Sequence, residues 1–140
     1  MTADEDEQSH IRRGARLHAL QAMSAEDLRE EIARQASCDW RSPSRLVSHA
    51  QDHQREFMDV YGRSIGPSEL DALATRICLS PDRLYTELTI RGVEWYFAQD
   101  LPGDSAMIVI VRGRWRRSVY RAEPFSRWLE RHAAAIEVQR

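Results

Sequence analysis

Two groups of residues in this sequence have types and spacings that could do chemistry. His49 and His53 stand four apart in the run His49-Ala50-Gln51-Asp52-His53-Gln54-Arg55-Glu56. On a helix that spacing puts both imidazoles on one side, with Glu56 in reach of His53. An imidazole titrates near neutral pH, so such a residue can take or give a proton, and a carboxylate beside it can orient it and raise its basicity. The same four-residue step holds zinc in metalloprotease helices. Here, however, Ala50 stands where that motif has its catalytic glutamate, and no third ligand follows nearby. The sequence therefore gives no reason to expect a metal or another cofactor. The plainer alternative is that His53 is a hydrogen-bonded core residue and His49 an exposed one.

The second group is Arg112-Gly113-Arg114-Trp115-Arg116-Arg117-Ser118-Val119-Tyr120-Arg121, which has five arginines, two aromatics and no acid. Strand alternation puts Arg114, Arg116, Ser118 and Tyr120 on one face and Trp115, Arg117, Val119 and Arg121 on the other. The second set, with its Trp and Val, is the expected core side. The first would then present guanidiniums, a hydroxyl and a phenol suited to gripping a phosphodiester and stabilising charge that builds on it. The plainer alternative is an edge strand guarded by charge. Arg91, at a hairpin turn, could join the patch or simply decorate the turn. Glu87 and Glu94 could face each other across the same hairpin, but exposed carboxylates are common and carry little signal. There is no glycine-rich phosphate loop, nucleophile elbow or dinucleotide fingerprint.

These residues need elements to position them. The first eight residues read as a disordered acidic tail, followed by a helix from about 11 to 23. Ser24 caps a second helix, with Glu26 and Asp27 in its first turn. Residues 38–41 read as a connection. Ser42-Pro43 opens a third helix that should run to Tyr61 and stop at Gly62. Gly66-Pro67 opens a fourth, with Leu70, Leu73, Ala74 and Ile77 as its apolar stripe. The period then drops to two through Leu84–Thr89, Val93–Ala98, the apolar run Ala106–Val111 and Arg114–Arg121, before Pro124 starts a closing helix. The fold class expected is α+β: N-terminal helices, a four-stranded antiparallel meander and a C-terminal helix.

At 140 residues the chain has room for one domain, expected over residues 9–140, with a helical section at 9–40 and a core at 41–140. No apolar run approaches the length of a membrane span, and the acidic N-terminus is unlike a signal peptide, so a cytoplasmic protein with no membrane partner is expected. Cys38 and Cys78 read as reduced thiols. All 20 basic residues are arginine. That suits either a GC-rich genome or bidentate phosphate recognition. Residues 1–40 carry a net charge of −4 and residues 41–140 a net of +2, which excludes a general nucleic-acid coat but leaves room for a local patch.

With these pieces placed, residues from about 44 to 138 resemble the small ribonuclease toxins of the barnase/EndoU/colicin/RelE-like superfamily, especially phage- and plasmid-encoded members. The resemblance lies in the helical His49-x3-His53-x2-Glu56-Phe57 segment, in Pro81-Asp82-Arg83-Leu84-Tyr85 and in the aromatic strand Trp95-Tyr96-Phe97. It implies a metal-independent endoribonuclease with catalytic residues drawn from His49, His53, Arg116 and Tyr120. Arg91, Arg114, Ser118 and Glu56 would assist in substrate binding, and RNA would be the partner. The alternative is a non-catalytic bacterial plasmid or phage accessory protein, or an immunity-type protein, that binds a protein partner; a cognate antitoxin, an immunity protein or another protein is the partner expected beside RNA.

Overall fold

The fold is taken from a computed structural model that describes residues 2–139; Met1 and Arg140, the ends of the expected tail and domain, lie outside them. The acidic stretch is helix, which corrects the expected disordered tail. Helix α1 spans Ala3–Gln21 and starts with a reciprocal cap, in which the Thr2 hydroxyl accepts from Glu5 N–H and the Glu5 carboxylate accepts from Thr2 N–H. Asp4, Glu5 and Asp6 fill the first turn, where the helix dipole favours negative charge. Helix α2, Ala25–Ala36, begins at the Ser24 cap as expected.

The segment expected as one long helix is two. α3 spans Pro43–Asp52 and α4 spans Gln54–Tyr61, separated at His53. The Gln54 side chain explains the break. Its amide donates to Ala50 O and Ile65 O while its carbonyl accepts from Ile65 N–H, so a side chain enters the backbone ladder and ties it to a distant loop. Gly62 closes α4 with φ +71°, a left-handed conformation that glycine adopts without cost. α5, Pro67–Leu79, carries the expected buried stripe.

The sheet contains the expected meander, β2 (Arg83–Thr89), β3 (Gly92–Leu101), β4 (Ser105–Arg112) and β5 (Trp115–Ala122). Two short strands extend it. β1 (Asp39–Trp40), within the stretch expected to be a connection, pairs parallel with β5 at Trp115 and Arg116, and β6 (Ile136–Glu137) pairs with β2. The described residues thus form six helices and a mixed six-stranded sheet of order β1-β5-β4-β3-β2-β6. The apolar run of β4 is central, as its two-sided burial requires.

The two faces of the sheet have separate cores. On one, Leu84, Trp95, Phe97, Met107, Val109, Val111 and Val119 pack against Trp40 and the helices α3 to α5. On the other, Tyr85, Tyr96, Ile108 and Ala122 pack against Phe125 and Trp128 of α6 (Phe125–Arg131). No helix among the described residues is long and apolar enough to cross a membrane.

Candidate functional site

The arginine-rich strand departs from simple alternation at one residue. Ile110 pairs with Ser118 and Val111 with Arg116, so Arg117 is an extra residue opposite the junction. This β-bulge reverses the phase of the strand and re-aims its side chains. Arg116 therefore points to the helical face, where it is 4% exposed and donates to Asp71 (3.0 Å) and Thr75 (3.3 Å) of α5. Ser118 and Tyr120 fall on the opposite face, and Tyr120 accepts from Trp128 Nε1. The expected common face of Arg116, Ser118 and Tyr120 is thus divided by the sheet. Arg114 is exposed in the turn between β4 and β5. Arg117, expected toward the core, is freed instead, with its Nε donating to Arg112 O at 3.3 Å.

The bulged Arg117 lies between two concavities and lines both. The first, about 230 Å³, is formed with Trp40, Ser48, His49, Asp52 and Arg45. The second, about 430 Å³, lies at the hairpin tips and includes Arg16, Arg91, Arg112, Glu31, Gln35 and Trp95. Together they make a cationic trough running from α3 to the β2–β3 turn. Burial, then the guanidiniums of Arg112, Arg41 and Arg45, hold the Arg117 pKa below its ordinary value. No carboxylate within ion-pair distance serves Arg16, Arg91 or Arg117 among the described residues. Arg112 instead pairs with Glu94 at 2.7 Å and Glu31 with Arg34.

Arg16 is the deepest of these cations. It is 7% exposed, donates from Nε to Thr86 Oγ1 at 3.1 Å and sits 5.3 Å over the Trp95 ring. Thr86 in turn donates to Glu94 O, which fixes the acceptor. The terminal nitrogens of Arg16 have no acceptor among the described residues. Burial lowers its pKa, opposed by the attraction of Glu31.

The two histidines are together, their ring centroids 4.2 Å apart, and Trp40 flanks His49 at 5.3 Å. They stand beside the part of β5 that β1 does not cover. His49 Nε2 is 2.8 Å from Val119 N and 2.7 Å from Val119 O, and serves one of them at a time. Glu56 accepts from Arg121 N–H at 2.9 Å with one oxygen and contacts His53 Nδ1 at 2.9 Å with the other. These side chains satisfy backbone groups that a missing neighbour strand leaves open. Burial holds the His49 imidazole below the ordinary range, against the opposing bond to Val119. The tautomer that donates Nε2–H to Val119 O leaves the Nδ1 lone pair without a protein partner.

On the other face, Glu87 and Glu94 do face each other, but both are buried, at 7% and 9% exposure. The Tyr96 hydroxyl lies 2.6 Å from Glu87 and 2.5 Å from Glu94, with His132 on Glu87 (2.9 Å) and Arg112 on Glu94. Burial, then the two carboxylates, push the Tyr96 phenol far above its ordinary pKa. Apart from Arg112, which also lines the larger pocket, this network is closed on itself by its own hydrogen bonds. No set of three His, Cys, Asp or Glu side chains there could hold a metal.

The trough thus keeps His49, Arg91 and the turn of Arg114 at one end of the molecule, without Arg116, Ser118 or Tyr120. It adds Arg16, Arg45 and Arg117, of which sequence reading named only the last, and on the wrong face. A signal for Arg16 did exist: with Arg12 and Leu20 it occupies the four-residue step that faces the sheet. Comparison with known proteins found no matching family model, no similar curated protein and no similar solved structure.

Proposed function

We propose that this protein binds RNA by its phosphates along the trough centred on Arg117. The observation that carries the proposal is the bulge, which takes one arginine out of the strand alternation and sets it between two pockets lined by further arginines. Guanidiniums without carboxylate partners are matched to phosphate oxygens in charge and in bidentate geometry. The resemblance of residues 44–138 to ribonuclease toxins supports RNA as the source of those phosphates. Filter binding with a mixed RNA pool tests the proposal. Arg117→Ala should weaken retention about tenfold, as loss of one charge-assisted contact does, and unchanged retention would sink it.

One observation favours a second reading, metal-independent cleavage. Burial lowers the His49 pKa and so favours its uncharged form; the ring lines the smaller pocket beside Arg45 and Arg117 and lies 4.2 Å, tilted, from the His53 ring. In this reading His49 Nδ1 takes the 2′-hydroxyl proton, and the oxygen attacks phosphorus to form a cyclic phosphate. Arg117 and Arg45 stabilise the charge on phosphorus, and His53, oriented by Glu56, returns a proton to the departing 5′-oxygen. Arg117 and Arg45 here take the role expected of Arg116. EDTA-resistant cleavage that disappears in folded His49→Gln protein is the expected result. RNA that is bound but never cut removes this reading and leaves the first intact.

A further inference from the structure

We propose that the deeper end of the trough is a pocket for a phosphate monoester, the terminal phosphate of an RNA strand, built around Arg16. This rests on the phosphate-binding reading of the trough and adds an end-specific subsite to it. Three observations carry it. First, Arg16 is a largely buried side chain held by Thr86 and the Trp95 ring; it lines the pocket, and its terminal nitrogens have no acceptor among the described residues. A guanidinium positioned in this way can pair with an anion that enters the pocket. Second, among the described residues Arg91 and Arg117 also line this pocket with no carboxylate in ion-pair distance, while its one acid, Glu31, pairs with Arg34 and Gln35 and attracts Arg16 only at longer range. Third, the charge count distinguishes the ligand. A diester carries one negative charge and two free oxygens; a monoester carries about −1.5 to −2 and three strong acceptor oxygens. Three unpaired guanidiniums, one of them buried, fit the monoester. A volume of about 430 Å³ is large enough for a terminal phosphate and its nucleoside.

The alternative role for Arg16 is purely structural, clamping α1 to β2 and β3, and the test must separate the two. Anisotropy is measured with one short labelled RNA carrying a 5′-phosphate, a 3′-phosphate or hydroxyls at both ends, with a nucleoside 5′-monophosphate as competitor. The intact protein should prefer one phosphorylated end by about tenfold or more, the value of a charge-assisted contact. Arg16→Met should abolish that preference, bringing the ratio of affinities for phosphorylated and hydroxyl-ended strands to about one. Arg91→Ala, at an exposed turn position where the substitution removes no side-chain contact of the fold among the described residues, should reduce it. Competition by the mononucleotide as strong as by the RNA would assign the phosphate to a free nucleotide rather than a strand end. Equal affinity for all three RNAs overturns the pocket while leaving the trough. A preference that survives in Arg16→Met shows that the phosphate is read elsewhere. Failure of every RNA and of the monophosphate to bind overturns the trough itself.

Discussion

Arg116 and Arg117 are adjacent in sequence and opposite in role. Arg116 is buried against Asp71 and Thr75, so Arg116→Ala removes a charge-assisted donor from a packed site, while water takes over the half-exposed Asp71. It should cost about 1–3 kcal/mol of stability, read by urea denaturation. Arg117→Ala should cost less, about 1 kcal/mol or under for a half-buried side chain with one backbone hydrogen bond, yet lose RNA affinity. Variants with the opposite pattern would show that the phase of the strand has been misassigned. His49 makes a second prediction. Its pKa is lowered by burial, so its contribution to stability is fully present above the ordinary value of about 6.5. Below that the unfolded chain gains a proton more readily than the folded one, and stability falls as pH drops through the folded value. His49→Gln should flatten the denaturation midpoint over that acid range, and an unchanged slope would contradict it. Residue types were legible in the sequence; which way each points was legible only where alternation held. One inserted residue exchanged the roles of Arg116 and Arg117, and nothing in the local composition marks it.

At the scale of elements, the meander was legible because period two runs through Leu84–Thr89 and Val93–Ala98, a strand-length apolar run follows at Ala106–Val111, and glycines mark the turns. β1 and β6 were not, since two residues carry no period. The break between α3 and α4 was hidden for a different reason: its cause is Gln54 reaching Ile65, a contact eleven residues away. Gln54→Ala should therefore strand Ile65 N–H and destabilise the protein by about 1–3 kcal/mol. Hydrogen exchange at Ile65 should rise with it, and protection equal to that of the parent would refute this origin of the break. The capping box that makes α1 helical from Ala3 was present as Thr2-x-x-Glu5, but the run of acids around it favoured the reading of a tail.

For the whole molecule, charge is segregated by position rather than by total. The net charge is −2, yet a hairpin turn, a bulge and one buried arginine on α1 converge at one end of the sheet. Composition could exclude a general nucleic-acid coat, but it could not place a patch drawn from residues as far apart as Arg16 and Arg117. The protein-partner alternative has its own surface, the apolar groove between α2 and the end of α5, where Leu79 is exposed. It becomes the leading reading if RNA does not bind. Electrostatic binding to single-stranded RNA weakens with salt by about −0.7 in log K per log salt for each phosphate engaged, so contacts from Arg45, Arg91 and Arg117 give a slope of about −2.

The most direct measurement is that salt titration of RNA binding on three proteins: the parent, Arg117→Ala, and Arg127→Ala, which removes an exposed arginine from α6 on the opposite face. Phosphate binding in the trough predicts a slope of about −2 for the parent and for Arg127→Ala, with weaker binding and a slope reduced by about 0.7 in Arg117→Ala. Equal losses in the two variants, or no binding by the folded parent, would contradict it.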